Sequence, residues 1–269
     1  GLRIAFQKFI PGLPMEMAKW VGLKNFTDFF SSYYAGEVIA NTLILSFYLI
    51  LFGFPLPILL ALVFNEVRNV TFKRITQTIS YIPYFISSVI IVGLVVLMLN
   101  PTDGIINNLI RAMGGEAISF LERPQWFRFV YVTMTLWKGT GFGAIVYLSA
   151  IAGVAPELYE AAIIDGAGRL KRVWHITVKE IMPTIMIMFI MRVGTILSID
   201  WMEVLLMQND VNSQVSEILQ TFVYKRGLIN AEYGYATAVG LMMSLLSMTL
   251  MILANQVVKR ATDSEMSLF

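Results

Sequence analysis

The chain has no cysteine and a single histidine, His175, in 269 residues. That scarcity excludes a disulfide framework, a Cys-bound zinc or iron–sulfur site, and a multi-His haem or copper centre. Charge is sparse too: only 14% of residues are Asp, Glu, Lys or Arg, where soluble domains carry about a quarter. A net charge of +2 is too small to point to nucleic acid. No Gly-Lys-Ser or Gly-Lys-Thr occurs, so the phosphate-cradling P-loop is missing and nucleotide hydrolysis by this chain is not expected. Signal peptide and initiator Met are both lacking, and Gly1 reads as a cut rather than a natural start.

Apolar residues are abundant, at 57% of the sequence. A bilayer-spanning helix needs about 20 mostly apolar residues. Five stretches qualify: Val38–Phe64, Ile79–Leu99, Phe129–Val154, Ile181–Met207 and Ala236–Val258. Pro55 and Pro57 are expected to kink the first near its middle, and Gly139, Gly141 and Gly143 to loosen the third. The 16 methionines are read as packing filler rather than ligands. The composition therefore predicts an all-α polytopic membrane protein with no metal or cofactor of its own.

Orientation follows from Lys and Arg in the short loops, which favour the cytoplasm. Residues 65–77, 155–180 and 258–269 hold nine such cations in about 51 residues, whereas 1–36, 100–128 and 207–234 hold nine in about 93. The loop at 155–183 and a tail at 259–269 are thus expected inside, with a permease domain at 37–258. Segment 1–36, rich in Phe, Tyr and Trp with scattered Lys, is expected at the outer interface. Five spans with an inner C-terminus place Gly1 outside, so an upstream span, six in the intact chain, is also expected.

Between two apolar runs lies a charged, helix-prone island from Pro156 to Pro183. Pro156 suits the first position of a helix because its missing donor is unpaired there anyway. Glu157 and Glu160 complement the helix dipole. The helix is expected to run to about Asp165, with Gly166 and Gly168 permitting a tight or left-handed turn. A second helix should follow from Arg169 to Lys179, with Leu170, Val173, Trp174 and Val178 on one face. Ala161 and Ala162 leave a thin face that another backbone can approach.

Glu160-Ala161-Ala162, three residues, Gly166, nine further residues and Ile176 resemble the "EAA loop" of membrane subunits of ATP-binding-cassette importers. The run Tyr159–Thr177 is similar to the version in carbohydrate importers of the maltose type. Asn41-Thr42-Leu43, Phe54-Pro55 through Arg68, Tyr81-Ile82-Pro83 and Tyr233-Gly234-Tyr235 extend the likeness through nearly the whole chain, closest to the subgroup for complex or acidic oligosaccharides. One departure is Val178-Lys179, where the family has Leu-Pro; here the proline comes only at Pro183.

The resemblance implies a bacterial inner-membrane permease subunit, multi-pass and not an enzyme, in a binding-protein-dependent importer of oligosaccharides. It implies that Glu160, Ala161, Ala162, Asp165 and Gly166 form the helix–turn–helix that couples to the ATPase. The implied partners are a second homologous permease, two copies of an ATPase that binds ATP and Mg, an extracytoplasmic solute-binding protein and the bilayer, with no nucleic acid.

Charges at bilayer depth are functional candidates because their insertion costs about 2.5–3.5 kcal/mol each. On a continuous helix Glu203 lies about 20° from Arg192 and Asp200 about 80°, which gives a shared polar face beside Trp201. Lys138 joins them from the third span. These residues either line a translocation path where hydroxyls and aromatic faces meet sugar, or pair with one another to hold helices together. A self-sufficient secondary transporter would call for internal repeats, and none is evident. An intramembrane enzyme would have only Asp200 and Glu203 to work with.

Overall fold

The computed structural model describes residues 1–12 and 14–261. The expected tail is described only as far as residue 261; the rest of it lies outside the described residues. Among the described residues the fold is helical apart from one small ribbon, in which Gln7 faces Trp20 and Lys8 faces Lys19. Two compact units interleave along the chain. The first takes Gly1–Phe47, Ser87–Met134 and Ile196–Met248; the second takes Tyr48–Ile86, Thr135–Thr195 and the chain from Thr249 onward.

In the first unit the ribbon is followed by a short helix, Lys24–Phe30, whose Phe29 is buried with Val38, Leu219, Phe222 and Val239. The aromatic N-terminal segment is thus partly folded, with Phe6 stacked on Trp20 at 5.6 Å. Helix Ser88–Leu99 begins where the Ser87 hydroxyl accepts from Ile90 N–H at 3.4 Å, a standard N-cap. Helix Trp201–Met207 packs against it.

Polar side chains tie this unit together at its irregular joints. Asn41 Nδ2 donates to the carbonyls of Gln214 (2.8 Å) and Glu217 (3.1 Å), and Arg128 donates to Asn41 Oδ1 at 2.8 Å. Thr42 Oγ1 accepts from Leu219 N–H at 2.9 Å. Fully buried Asn107 donates to the carbonyls of Leu99, Asn100 and Ile118, and its Oδ1 accepts from Ile118 N–H at 2.7 Å. Such bonds replace those that water would give to broken backbone.

In the second unit the core is apolar: Ala61, Leu62, Ala144, Tyr147, Ile151, Val173, Ile181 and Ile185. Packing is close enough that a Cβ on Gly141 would overlap the Ser80 carbonyl, and one on Gly143 would sit 3.2 Å from Pro57 Cγ. The helix carrying these glycines, Pro124–Ala152, is unbroken. The expected loosening does not occur; Gly141 instead lets the backbone at Ser80 approach, and Gly143 makes room for the Pro57 ring.

Among the described residues, two helices, Ala35–Glu66 and Tyr233–Arg260, are long and apolar enough to cross a bilayer, and up to four are if each bent pair is one span. The first carries its expected break: helix Ala35–Leu51 stops, and Pro55 opens Pro55–Glu66. Proline can neither donate to the carbonyl four residues back nor clear it sterically. The expected span Ile79–Leu99 is not a single helix. It divides at a 3₁₀ turn, Ile82–Phe85, with Pro83 at its start and the Ser87 cap beyond it.

The largest correction concerns Ile181–Met207. Helix Met182–Gly194 ends there, and the chain restarts only at Trp201. Asp200 is the N-cap of the restart, its Oδ1 accepting from Met202 N–H (3.1 Å) and Glu203 N–H (3.4 Å). The helical-wheel relation of Arg192 to Asp200 and Glu203 rested on one continuous helix, and therefore does not hold.

Candidate functional site

The island forms a helical hairpin within the second unit. Its first helix, Pro156–Ile164, has Pro156 at the first position and lies at 72° to Pro124–Ala152. The turn closes by two reaching hydrogen bonds: Ala167 N–H to the Ala162 carbonyl at 2.8 Å and Gly166 N–H to the Ile163 carbonyl at 3.0 Å. This is a Schellman motif, which needs a left-handed residue just past the helix. Gly166 supplies it with φ 75°, a conformation that costs a side-chain-bearing residue strain. Gly168 is different: it is extended, at φ −67° and ψ 165°, and caps the second helix.

The second helix starts at Arg169–Arg172, passes through a π turn at Val173–Thr177 and ends at Val178–Glu180. The extra residue in a π turn rotates the next helical segment relative to a regular helix. Val173, Thr177 and Ile181 are buried, whereas Leu170 and Trp174, expected on the same face as Val173, remain 76% and 57% exposed. Tyr159 and Thr177 hydroxyls share a hydrogen bond at 2.9 Å, which fixes the first helix on the second.

Glu160, Ala161, Asp165 and Gly166 are exposed, and Ala162 is half-buried. Beside them Ile164 is 85% and Ile163 56% exposed. The hairpin thus combines a rigid base with an outward face that is charged and apolar together. Contiguous apolar exposure of this kind marks interaction surfaces.

The polar residues singled out at bilayer depth belong to both units. In the first unit, Ser88 Oγ lies 3.2 Å from both Asp200 Oδ2 and Glu203 Oε1. Glu203 is 1% exposed. Trp201 stacks on Tyr224, with ring centroids 4.6 Å apart. Two carboxylates and two aromatic rings therefore share one locality, and Ser88 and Tyr224 are members that sequence reasoning did not name. In the second unit, Arg192 lines a cavity of about 250 Å3 with Thr135, Thr140 and Tyr147. Lys138 is half-buried on the adjacent helix, Pro124–Ala152. No cluster of three or more His, Cys, Asp or Glu side chains suited to a metal exists among the described residues.

These helices and the outward hairpin define an α-helical integral-membrane protein. Residues 53–263 match the family described as "Binding-protein-dependent transport system inner membrane component", and the chain belongs to that family. It is the permease component of an ATP-binding-cassette importer and not an enzyme; ATP hydrolysis belongs to separate ATPase subunits. Among relatives, it is 42% identical over 260 residues to the polygalacturonan/rhamnogalacturonan transport system permease protein YteP of Bacillus subtilis, covering 97% of this chain and 81% of that protein. Protein LplB of the same organism is also 42% identical, over 97% of this chain and 82% of that protein. A bacterial alginate ABC transporter, solved with an alginate pentasaccharide-bound periplasmic protein, matches with TM-score 0.90 and 38% identity, covering 98% of this chain and 88% of its counterpart.

Proposed function

We propose that this chain is a multi-pass permease subunit of the bacterial cytoplasmic membrane that imports oligosaccharides containing uronic acids. In this reading the hairpin lies in the cytoplasm and seats in an ATPase subunit, while a second, homologous permease completes the pore. Two ATPases and an extracytoplasmic solute-binding protein complete the importer. The observation that carries the reading is the hairpin: a Schellman turn at Gly166 on a buried base of Val173, Thr177 and Ile181, with Ile163, Ile164, Leu170 and Trp174 outward. The relatives that handle polygalacturonan and alginate support the acidic substrate class.

The mechanism follows from rigidity. ATP-driven closure of the two ATPases moves whatever is held in their grooves. A hairpin locked by the Tyr159–Thr177 bond transmits that displacement as a rigid body rather than absorbing it, and the bundle switches between inward- and outward-facing states. Asp200 and Glu203 accept hydrogen bonds from sugar hydroxyls, Trp201 offers a ring face, and Arg192 and Lys138 supply positive charge for a carboxylate. Deep in the bilayer such groups are strong because water does not compete.

Replacing Gly166 with Val tests the reading. A β-branched residue at φ 75° costs about 1–3 kcal/mol and distorts the turn. The expected result is that ATP-driven uptake in proteoliposomes falls by about tenfold or more while the permease stays in the membrane. Uptake at the wild-type rate with valine in place would refute the coupling role.

A further inference from the structure

A second polar cavity, of about 480 Å3, lies in the first unit and shares no lining residue with the acidic pair. That volume is within the range of small-molecule sites. Its walls come from the N-terminal ribbon, the helix Lys24–Phe30 and the segment leading into the last helix.

Three independent features converge on it. Gln7, 1% exposed, lines the cavity; its Nε2 donates to the carbonyls of Met15 (3.3 Å) and Ala18 (3.4 Å), but its buried Oε1 has no partner among the described residues. A buried acceptor left unmet is costly, and one this enclosed marks a polar wall behind the cavity rather than a direct ligand contact. Ala231, also in the wall, is the only non-glycine residue with positive φ among the described residues, at 57°. Backbone held in this region gathers at ligand clamps. The π turn Lys225–Ile229 comes just before it and carries Arg226 into the wall, and π turns concentrate at functional sites.

The chemistry of the lining selects the ligand. Arg226 is neutralised by Glu232 at 3.3 Å and held over the Tyr235 ring at 5.8 Å. That leaves Lys8 and Asp28, both exposed, as the charges facing the cavity without an ion pair among the described residues. One ammonium, one carboxylate and the rings of Phe9 and Tyr235 match the parts of a uronic acid: a carboxylate, neighbouring hydroxyls and an apolar C–H face.

We propose that this cavity is an entry subsite that binds one uronate ring of the oligosaccharide on the extracytoplasmic side, with Lys8 receiving the carboxylate and Asp28 the ring hydroxyls. The assignment rests on the importer reading and its orientation. The subsite is spatially separate from the acidic pair around Glu203, so the chain would meet its sugar at two stations.

The test uses the assembled permease–ATPase complex without the solute-binding protein, titrated with a trisaccharide of galacturonate by calorimetry. Saturable binding is expected; it should weaken about tenfold in Lys8→Ala and return to within about threefold of wild type in Lys8→Arg. A neutral galactose trisaccharide should bind about tenfold more weakly and be indifferent to the Lys8→Ala change. Absence of saturable binding, equal affinity in Lys8→Ala, or equal affinity for the neutral sugar overturns the subsite. Uptake assayed in parallel separates the two ideas. Lys8-dependent binding without ATP-driven uptake of the galacturonate trisaccharide removes uronate oligosaccharides as the imported substrate and leaves the subsite standing. Uptake without Lys8-dependent binding does the reverse.

Discussion

The two units solve the same problem, burial of backbone away from water, in opposite ways. In the first, nine polar side chains are buried among the described residues, including Gln7, Asn41, Thr42, Asn107, Glu203 and Asn212; in the second only Thr177 and Asn255 are. The first unit contains the longer irregular stretches: the loop around Ile118 and the segments 196–200 and 208–218; among the described residues the second breaks only at short turns such as 52–54, 153–155 and 165–168. Each longer stretch leaves N–H and C=O groups that a continuous helix would have paired internally, and amide or hydroxyl side chains take them up. The second unit brings its helices close through glycine and alanine. Where breaks are short enough for the backbone to close its own turns, small residues suffice; where they are long, side chains must carry the missing hydrogen bonds.

Asn107→Leu attacks the polar solution at its densest point. Leucine is nearly the same size but leaves three carbonyls and one N–H without their present partner. With each unmet group costing about 1–3 kcal/mol, a loss of about 3 kcal/mol or more is expected. It should be read as a fall in the thermal midpoint of the detergent-solubilised complex and in membrane abundance. An unchanged midpoint would mean that water or lipid headgroups already satisfy these carbonyls, and the contrast between the units would weaken.

Gly141→Ala attacks the packing solution. The added methyl would meet the Ser80 carbonyl directly, so helix Pro124–Ala152 must shift, at about 1–3 kcal/mol. Gly240→Ala is the matched control, since a methyl there meets nothing within 4 Å; alanine should be neutral or stabilising by up to about 1 kcal/mol. Equal midpoints for the two variants would show that close approach at Gly141 is not what the second unit depends on.

Much of this contrast is visible in the sequence, and the remainder is hidden for physical reasons. The hairpin is legible because Pro156, Gly166 and the Glu-Ala-Ala triplet each act locally, within one helix turn of where they sit. The break at 195–200 is masked because Ile196, Leu197 and Ile199 are as apolar as a span. The signal that exposes it is Asp200 followed three residues later by Glu203, a capping-box pattern that marks a helix start. Read as two intramembrane charges, the same pair implied an uninterrupted helix. The π turn at Val173–Thr177 has no compositional signature, so the outward placement of Trp174 is a property of the folded hairpin. The cavity walled by Gln7 and Tyr235 joins residues from opposite ends of the chain, which periodicity cannot connect.

Not every buried polar group of the first unit serves the backbone, and Glu203→Gln separates the two kinds. Glutamine keeps the shape of glutamate and one oxygen to accept from the Ser88 hydroxyl, which already serves Asp200 as well. Asp200 keeps its capping bonds to Met202 and Glu203 N–H groups, because those lie on the main chain. Stability should therefore change little, by about 1 kcal/mol or less. The charge, however, is gone, and a hydrogen bond from a sugar hydroxyl to a carboxylate is roughly twice as strong as one to a neutral oxygen. Uptake of a uronate trisaccharide should fall by about fivefold to tenfold at unchanged thermal midpoint, with coupling to the ATPase intact. If uptake and substrate preference both match wild type, Glu203 belongs with Asn107 as a structural tie, and the substrate path must be sought among Arg192, Lys138 and the hydroxyls around them.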